Sequence, residues 1–189
     1  MTRSRRAEGL CYVGCVAPQL RKFDMQAFYA AVDAERRARS LTWTELLAGI
    51  NKAFEGTSSI PISVSTVQGM LKKRSVTSAV VLQILRWLRR SPESFLAGSD
   101  AVSRPEEMLP EPGPGRVLRF DTRAMHAVLN EERVRRGLSW KQVAGELPGF
   151  SAGMLMNLAQ GPLVGFPRVM FITQWLNRPA VSLVRIHGR

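Results

Sequence analysis

The sequence predicts an all-α protein built from two tandem copies of one small domain, each of four to five helices, joined by a Pro-rich linker. Three observations carry that prediction: a long internal repeat, a join rich in proline and acid, and apolar positions spaced at helical period within each copy. Shifting the chain by 97 positions lays Phe23-Asp24 on Phe120-Asp121, Ala27 on Ala124, Ala30 on Ala127, Glu35-Arg36 on Glu132-Arg133, Arg39 on Arg136, Leu41 on Leu138 and Trp43 on Trp140. A second block repeats at a shift of 88, with Ser63 on Ser151, Val81 on Val169, Ile84 on Ile172, Trp87-Leu88 on Trp175-Leu176 and Arg90 on Arg178. The first copy therefore carries a nine-residue insertion between the blocks. A period this long marks a duplicated domain rather than a solenoid, whose repeats are shorter and more numerous.

The predicted divisions are a disordered basic arm over 1–22, a first domain over 23–97 with an inserted loop at 52–61, a linker over 98–118 and a second domain over 119–189. In the arm, Arg3, Arg5 and Arg6 precede the apolar run Leu10 to Ala17, which is too short and too interrupted by Gly14 for a signal segment. Helix 1 of each copy starts after Asp24 and Asp121 and sets Phe28, Ala31 and Val32, or Met125, Val128 and Leu129, on one face. Glu35 to Arg39 and Glu132 to Arg136 are i,i+4 pairs in the favourable order. Thr42-Trp43-Thr44-Glu45 and Ser139-Trp140-Lys141-Gln142 fit the capping box, in which the hydroxyl accepts from the third backbone N–H and the Glu or Gln reaches back, so helix 2 begins there. Ser63 and Ser151 are placed to cap helix 3, expected over Val64 to Lys73 and Ala152 to Gln160. Helix 4 follows as Thr77 to Leu88 and Phe166 to Leu176, and Ser91 to Leu96 makes a closing turn with Pro92 at its first helical position. Between the copies, Gly98 to Gly115 holds four prolines and four acids without apolar periodicity and reads as a semi-extended spacer.

Charge narrows the function. The chain of 189 residues carries 27 Lys plus Arg against 15 Asp plus Glu, a net +12. Both repeated units are basic and the join is acidic, which points to a polyanionic partner, nucleic acid ahead of an anionic membrane surface. No apolar run approaches the ~18 residues of a membrane span, so a soluble protein is expected, and a thiol-poor chain without a disulfide framework fits a reducing cytoplasm, associated with the nucleoid if the polyanion is DNA. Cys11 and Cys15 do not make a disulfide framework, and a metal site needs about four ligands where the only histidines are His126 and His187. No cofactor is expected. Enzyme readings find no phosphate-binding glycine loop, no metal-ligand spacing and no elbow around a nucleophilic serine.

Arg136 to Ala144 (Arg-Gly-Leu-Ser-Trp-Lys-Gln-Val-Ala), Ala159-Gln160-Gly161 and Gln174-Trp175-Leu176, with Ser63 to Val67 and Ser91 to Leu96 in the first copy, resemble the phage-repressor-like (lambda-repressor-like, xenobiotic-response-element, XRE) family of helix-turn-helix DNA-binding proteins. The resemblance covers nearly all of both copies. It implies that helix 3 enters the major groove while helix 2 lies across the backbone, offering N–H groups to a phosphate. Thr42 and Trp43, and Ser139, Trp140 and Lys141, then stand at the backbone. Beside the Ser63 cap, the groove-facing positions are Val64, Ser65, Thr66, Gln68, Gly69 and Lys72, with Val67, Met70 and Leu71 toward the core and Lys73 and Arg74 at phosphates. The second copy would present Ala152, Gly153, Met154, Met156, Asn157 and Gln160, a surface that can barely hydrogen-bond a base edge. The expected function is sequence-specific binding of double-stranded DNA by a bacterial transcriptional regulator. The rival is a protein-interaction or dimerisation adaptor on a degenerate helix-turn-helix scaffold, with a homodimer or protein partner reached through the second domain.

Several of these residues also have plainer readings. The Trp43 and Trp140 indoles are expected to cover the corner between helices 1 and 2 rather than stack on DNA, and Trp87 and Trp175 to be core. The helix 1 arginines Arg36, Arg37, Arg39, Arg133, Arg135 and Arg136 read as a solvated outer face.

Overall fold

The computed structural model describes residues 19–57, 59–100, 102–161 and 164–188; the arm expected over 1–22 lies outside the described residues as far as residue 18. The first unit runs through α1 (Met25–Ala38), α2 (Trp43–Asn51), α3 (Val64–Gln68), β1 (Val76–Thr77) and α4 (Ser78–Leu88), closing on a 3₁₀ turn at Pro92–Phe95. The second opens on β2 (Val117–Phe120) and continues through α5 (Thr122–Arg135), α6 (Trp140–Glu146), α7 (Ala152–Met156), β3 (Gly165–Phe166) and α8 (Val169–Trp175) to a 3₁₀ turn at Ala180–Leu183 and β4 (Val184–His187).

The all-α expectation is corrected: the helices are joined by two antiparallel sheets of two strands each, β1 with β3 and β2 with β4. The reason lies in the backbone. Val117, Leu118 and Phe120 are buried, and buried N–H and C=O groups outside a helix need partners that a neighbouring extended segment supplies. Unit one makes the same closure in reduced form. Phe23 bridges Leu96 and Asp24 N–H donates to the Phe95 carbonyl at 2.7 Å, just as Phe120 pairs with Val184 and Asp121 N–H donates to the Leu183 carbonyl at 2.8 Å.

The other sheet joins the two units. Val76 pairs with Phe166 and Thr77 with Gly165. At the 88-residue shift Gly165 is Thr77's own counterpart, so the pairing is centred on equivalent residues, as at a two-fold axis between identical subunits. Gly165 is closely fitted there: a Cβ would meet Ser75 Oγ, which would have to turn away, and lie 3.0 Å from the Val76 carbonyl oxygen. Next to it the wholly buried Phe166 ring lies 4.9 Å from Phe23 and 5.9 Å from Phe120, and Phe23 continues to Phe28 and Phe95 at 5.7 and 5.9 Å. One apolar cluster therefore runs through both units. Polar contacts reinforce the join. Gln174 exchanges two hydrogen bonds with the Arg21 backbone, both at 2.8 Å, and the Glu93 carboxylate accepts from Ala180 N–H at 2.6 Å.

The segment between the units is held along unit one rather than standing free. Ser91 N–H donates to Ser103 Oγ at 2.8 Å, Ser91 Oγ to Glu107 at 3.1 Å, Arg86 pairs with Glu111 at 2.7 Å, and Pro112 is buried. The insertion in unit one is clamped too: the Asn51 side chain exchanges two hydrogen bonds with the Ile62 backbone, at 2.8 and 2.9 Å, across the loop. That clamp ties the end of α2 to the start of α3.

Candidate functional site

Each unit builds the same corner between its first two helices. Thr42 and Ser139 each cap the following helix in a complete capping box, with Glu45 and Gln142 reaching back. The Glu45 carboxyl is held below its ordinary range by the Thr42 backbone N–H and hydroxyl that donate to it. The indoles of Trp43 and Trp140 are sandwiched: Tyr29 stacks on the first at 5.7 Å and His126 on the second at 5.4 Å, while Arg36 and Arg133 sit 4.9 Å from the respective ring centres. Those two arginines also donate to the Leu41 and Leu138 carbonyls at 2.7 and 2.8 Å. They are corner braces rather than the solvated residues the pattern predicted. Arg136 does similar service over the buried Trp175, 4.2 Å away, and Arg39 over the half-buried Trp87 at 4.5 Å. Trp175 itself donates to Glu146 at 2.7 Å. The Glu132 carboxyl is lowered to about 2, first by its hydrogen bond from Arg135 and then by Arg136.

With the corner fixed, the short third helices stand at the surface. Ser63 caps α3 by accepting from Thr66 N–H at 3.2 Å, and its hydroxyl lies 2.9 Å from both Ser65 Oγ and Thr66 Oγ1. Val67 and Met70 are buried as expected, but Leu71 is 44% exposed and not part of the core. After Gln68 the chain tightens into a 3₁₀ turn at Met70–Lys72. Gln68, Lys72, Lys73 and Arg74 are exposed, and none of the three cations has an ion-pair partner among the described residues. On α7, Ser151 caps through Met154 N–H at 3.2 Å, Leu155 is buried, and Met154 and Met156 are 40% and 54% exposed. Asn157, Gln160 and Lys141 are exposed.

Concave surface gathers some of these residues and omits others. In unit one a cleft of about 560 Å³ lies between the start of α1 and the end of the α3 segment, where Lys22, Lys73 and Arg74 converge beside Leu71. Asp24, the one carboxylate lining it, is turned to capping α1 through Gln26 and Ala27 N–H, each at 2.9 Å. Unit two has a cleft at the equivalent place, about 420 Å³, lined by Asp121, Arg123, Gln160 and Arg185. The equivalent places thus hold cations of different origin, from the helix 3 end in unit one and from the β-ribbon and α5 in unit two. Sequence reasoning missed Lys22, Arg119, Arg123 and Arg185. Lys22 falls on Arg119 at the 97-residue shift, a signal that was legible, whereas Arg185 on the last strand had none. A third cleft, about 360 Å³, is apolar and belongs to unit two alone, with Phe150, Met154, Leu158 and Val164 in its walls.

Among the described residues no group of three or more His, Cys, Asp or Glu is placed to hold a metal ion, and no helix is long and apolar enough to cross a membrane. Comparison with protein-family models, with curated proteins and with solved structures gave no match.

Proposed function

We propose that the protein binds double-stranded DNA through two helix-turn-helix units of the phage-repressor-like kind, as a cytoplasmic, nucleoid-associated transcriptional regulator. The observation that carries this reading is the recurrence of an unpaired basic cleft at the end of the helix 3 segment in both units, although the cations come from different residues. Solvated charge scattered by chance has no reason to return to equivalent places. In unit one Ser65, Gln68 and Lys72 lie on the exposed side of α3 and its 3₁₀ extension, where an amide can pair with adenine and an ammonium with guanine. Lys73, Arg74 and Lys22 then suit the phosphates alongside.

The join between the units limits what they can read together. Lys72 stands five positions before Thr77, as Gln160 does before Gly165, and Thr77 and Gly165 are paired. From the span of an extended chain, the two helix 3 ends are at most about 40 Å apart. Half-sites one DNA turn apart, ~34 Å, are within that reach and half-sites two turns apart are not.

Titration of the whole protein against duplex DNA at low and moderate salt tests the reading. With six to ten phosphate contacts, affinity falls about a thousandfold or more between roughly 50 and 200 mM salt. Absence of binding at low salt overturns it. A second reading, a protein-docking adaptor, is favoured by one observation, the apolar cleft beside the exposed Met154. It predicts that Met154→Ala weakens association with a protein while duplex binding is unchanged.

A further inference from the structure

The β2–β4 ribbon sets Arg119 directly opposite Arg185. Opposed residues of an antiparallel pair project from one face with Cβ atoms about 4.5–5.5 Å apart, and like charges so placed repel. His187, two residues beyond Arg185, shares that face. Among the described residues Arg119 and Arg185 make no ion pair that would offset the repulsion. Arg119 donates to the neutral hydroxyl of Ser59, at 3.0 Å, and its Nε is buried with no acceptor among the described residues. A buried charged donor without an acceptor is costly.

Arg119, Arg185, His187 and Thr122 line a cleft of about 190 Å³, which shares Thr122, Gly161 and Arg185 with the neighbouring larger cleft that holds Arg123 and Gln160. The one carboxylate lining the combined groove, Asp121, is occupied in accepting from Ala124 N–H at 2.9 Å. The groove also lies at the N-terminal end of α5, where helix N–H groups and the macrodipole favour an anion. We propose that this groove is a phosphate-binding site in which Arg119 and Arg185 grip one phosphate of the duplex backbone between them. The ribbon then supplies, from strands, the contact that Lys73 and Arg74 supply in unit one from the end of helix 3. The duplex as source of the phosphate rests on the DNA-binding reading; the anion site itself does not.

Two measurements separate the site from its source. The first follows thermal unfolding of the whole protein and of Arg185→Ala, whose side chain is exposed, with and without inorganic pyrophosphate at low ionic strength. Without the anion the variant melts higher, by up to about 2–4 °C, because the opposed charges are relieved. Pyrophosphate raises the wild-type melting temperature and leaves the variant where it was. The second measures duplex affinity against salt for wild type and for Arg119→Ala/Arg185→Ala. The log–log slope falls by about 1 in the double variant, one shared phosphate rather than two. If wild type binds duplex and the slope is unchanged, the ribbon is not a backbone contact and the inference falls while the DNA reading stands. If pyrophosphate stabilises only wild type but no duplex binds, the duplex is overturned as the source and the site belongs to free phosphate. If pyrophosphate moves wild type and variant alike, there is no site.

Discussion

Unit one and unit two share a frame and differ in what the frame presents. The capping boxes, the arginine-braced indoles and the strand closure at Phe23 and Phe120 recur at equivalent positions and nearly the same distances. The third helices do not. One carries hydroxyls, an amide and a following cluster of cations; the other carries alanine, glycine and two exposed methionines beside an apolar cleft. What stays constant under duplication is therefore the set of contacts that fixes the angle between helices, and what drifts is the surface those contacts display. The interior of one unit constrains its sequence far more tightly than the exposed face of its helix 3 does.

The sharpest way to break the comparison is at the ring both units share. Phe166→Ala removes a wholly buried side chain lying against Phe23 of one unit and Phe120 of the other, and should cost about 3–5 kcal/mol. Chemical denaturation followed by tryptophan fluorescence checks this, since Trp43 and Trp87 report unit one and Trp140 and Trp175 unit two. A single destabilised transition is expected. Two separate transitions, with unit one unmoved, would mean the units are stable apart and that the common core is incidental to them.

A change of about 1–3 kcal/mol in discrimination is expected at the reading surface. Gln68→Ala and Lys72→Ala should each flatten sequence preference in selection from a random duplex library. Met154→Ala and Met156→Ala should leave that preference intact. A preference that survives in the first pair and collapses in the second would reverse the roles of the two units.

Gly165→Ala should destabilise by about 1–3 kcal/mol, because the added carbon meets Ser75 and the Val76 carbonyl. The equivalent exposed position in unit one gives the contrast: Thr77→Ala trims a side chain already accommodated and should change the melting midpoint little. Equal effects at both positions would remove the distinction between the two sides of the ribbon.

The smallest effect is one of pH. Glu93 bridges the units, and its carboxyl is raised above the ordinary 4.5, chiefly by burial and further by the nearby Glu107 charge. A raised folded pKa contributes stability that is full below 4.5 and lost as pH rises through the shifted value. Glu93→Gln keeps the acceptor for Ala180 N–H without the charge. It should melt higher than wild type at neutral pH, and the gap should close as pH is lowered toward 4. A gap independent of pH would place the effect elsewhere than in that carboxyl.

The helices and their starts were legible in the sequence because their causes are local: a hydroxyl three residues before a Glu or Gln, and apolar residues at i, i+3 and i+4. The strands were not. A two-residue pairing such as Val76-Thr77 with Gly165-Phe166 leaves no alternation to detect, and its energy comes from backbone groups that every residue carries. The candidate site divides the same way. Gln68, Lys72, Lys73 and Arg74 lie in one short stretch and were found together, whereas Arg119 and Arg185 are brought face to face by a ribbon whose strands lie more than sixty residues apart. The aromatic corner is half legible: the sequence places both indoles in it, but it places Arg36 and Arg133 in solvent, because a charge on a helix face looks the same whether or not an indole lies beneath it.

The pairing of Thr77 with Gly165 also bears on how one copy of the chain avoids joining to another. A ribbon centred on equivalent residues is self-complementary in outline, so two first units meeting during synthesis or at high concentration could in principle zip together in the register that normally joins first to second. They cannot do so cleanly. In such a pair Thr77 would occupy the place of Gly165, where a Cβ meets Ser75 Oγ and crowds the Val76 carbonyl unless both give way. The single glycine biases the match: pairing the first unit with the second avoids a crowding that pairing two first units would meet. An edge that would otherwise recruit strands from neighbouring molecules is reserved for the partner already tethered to it.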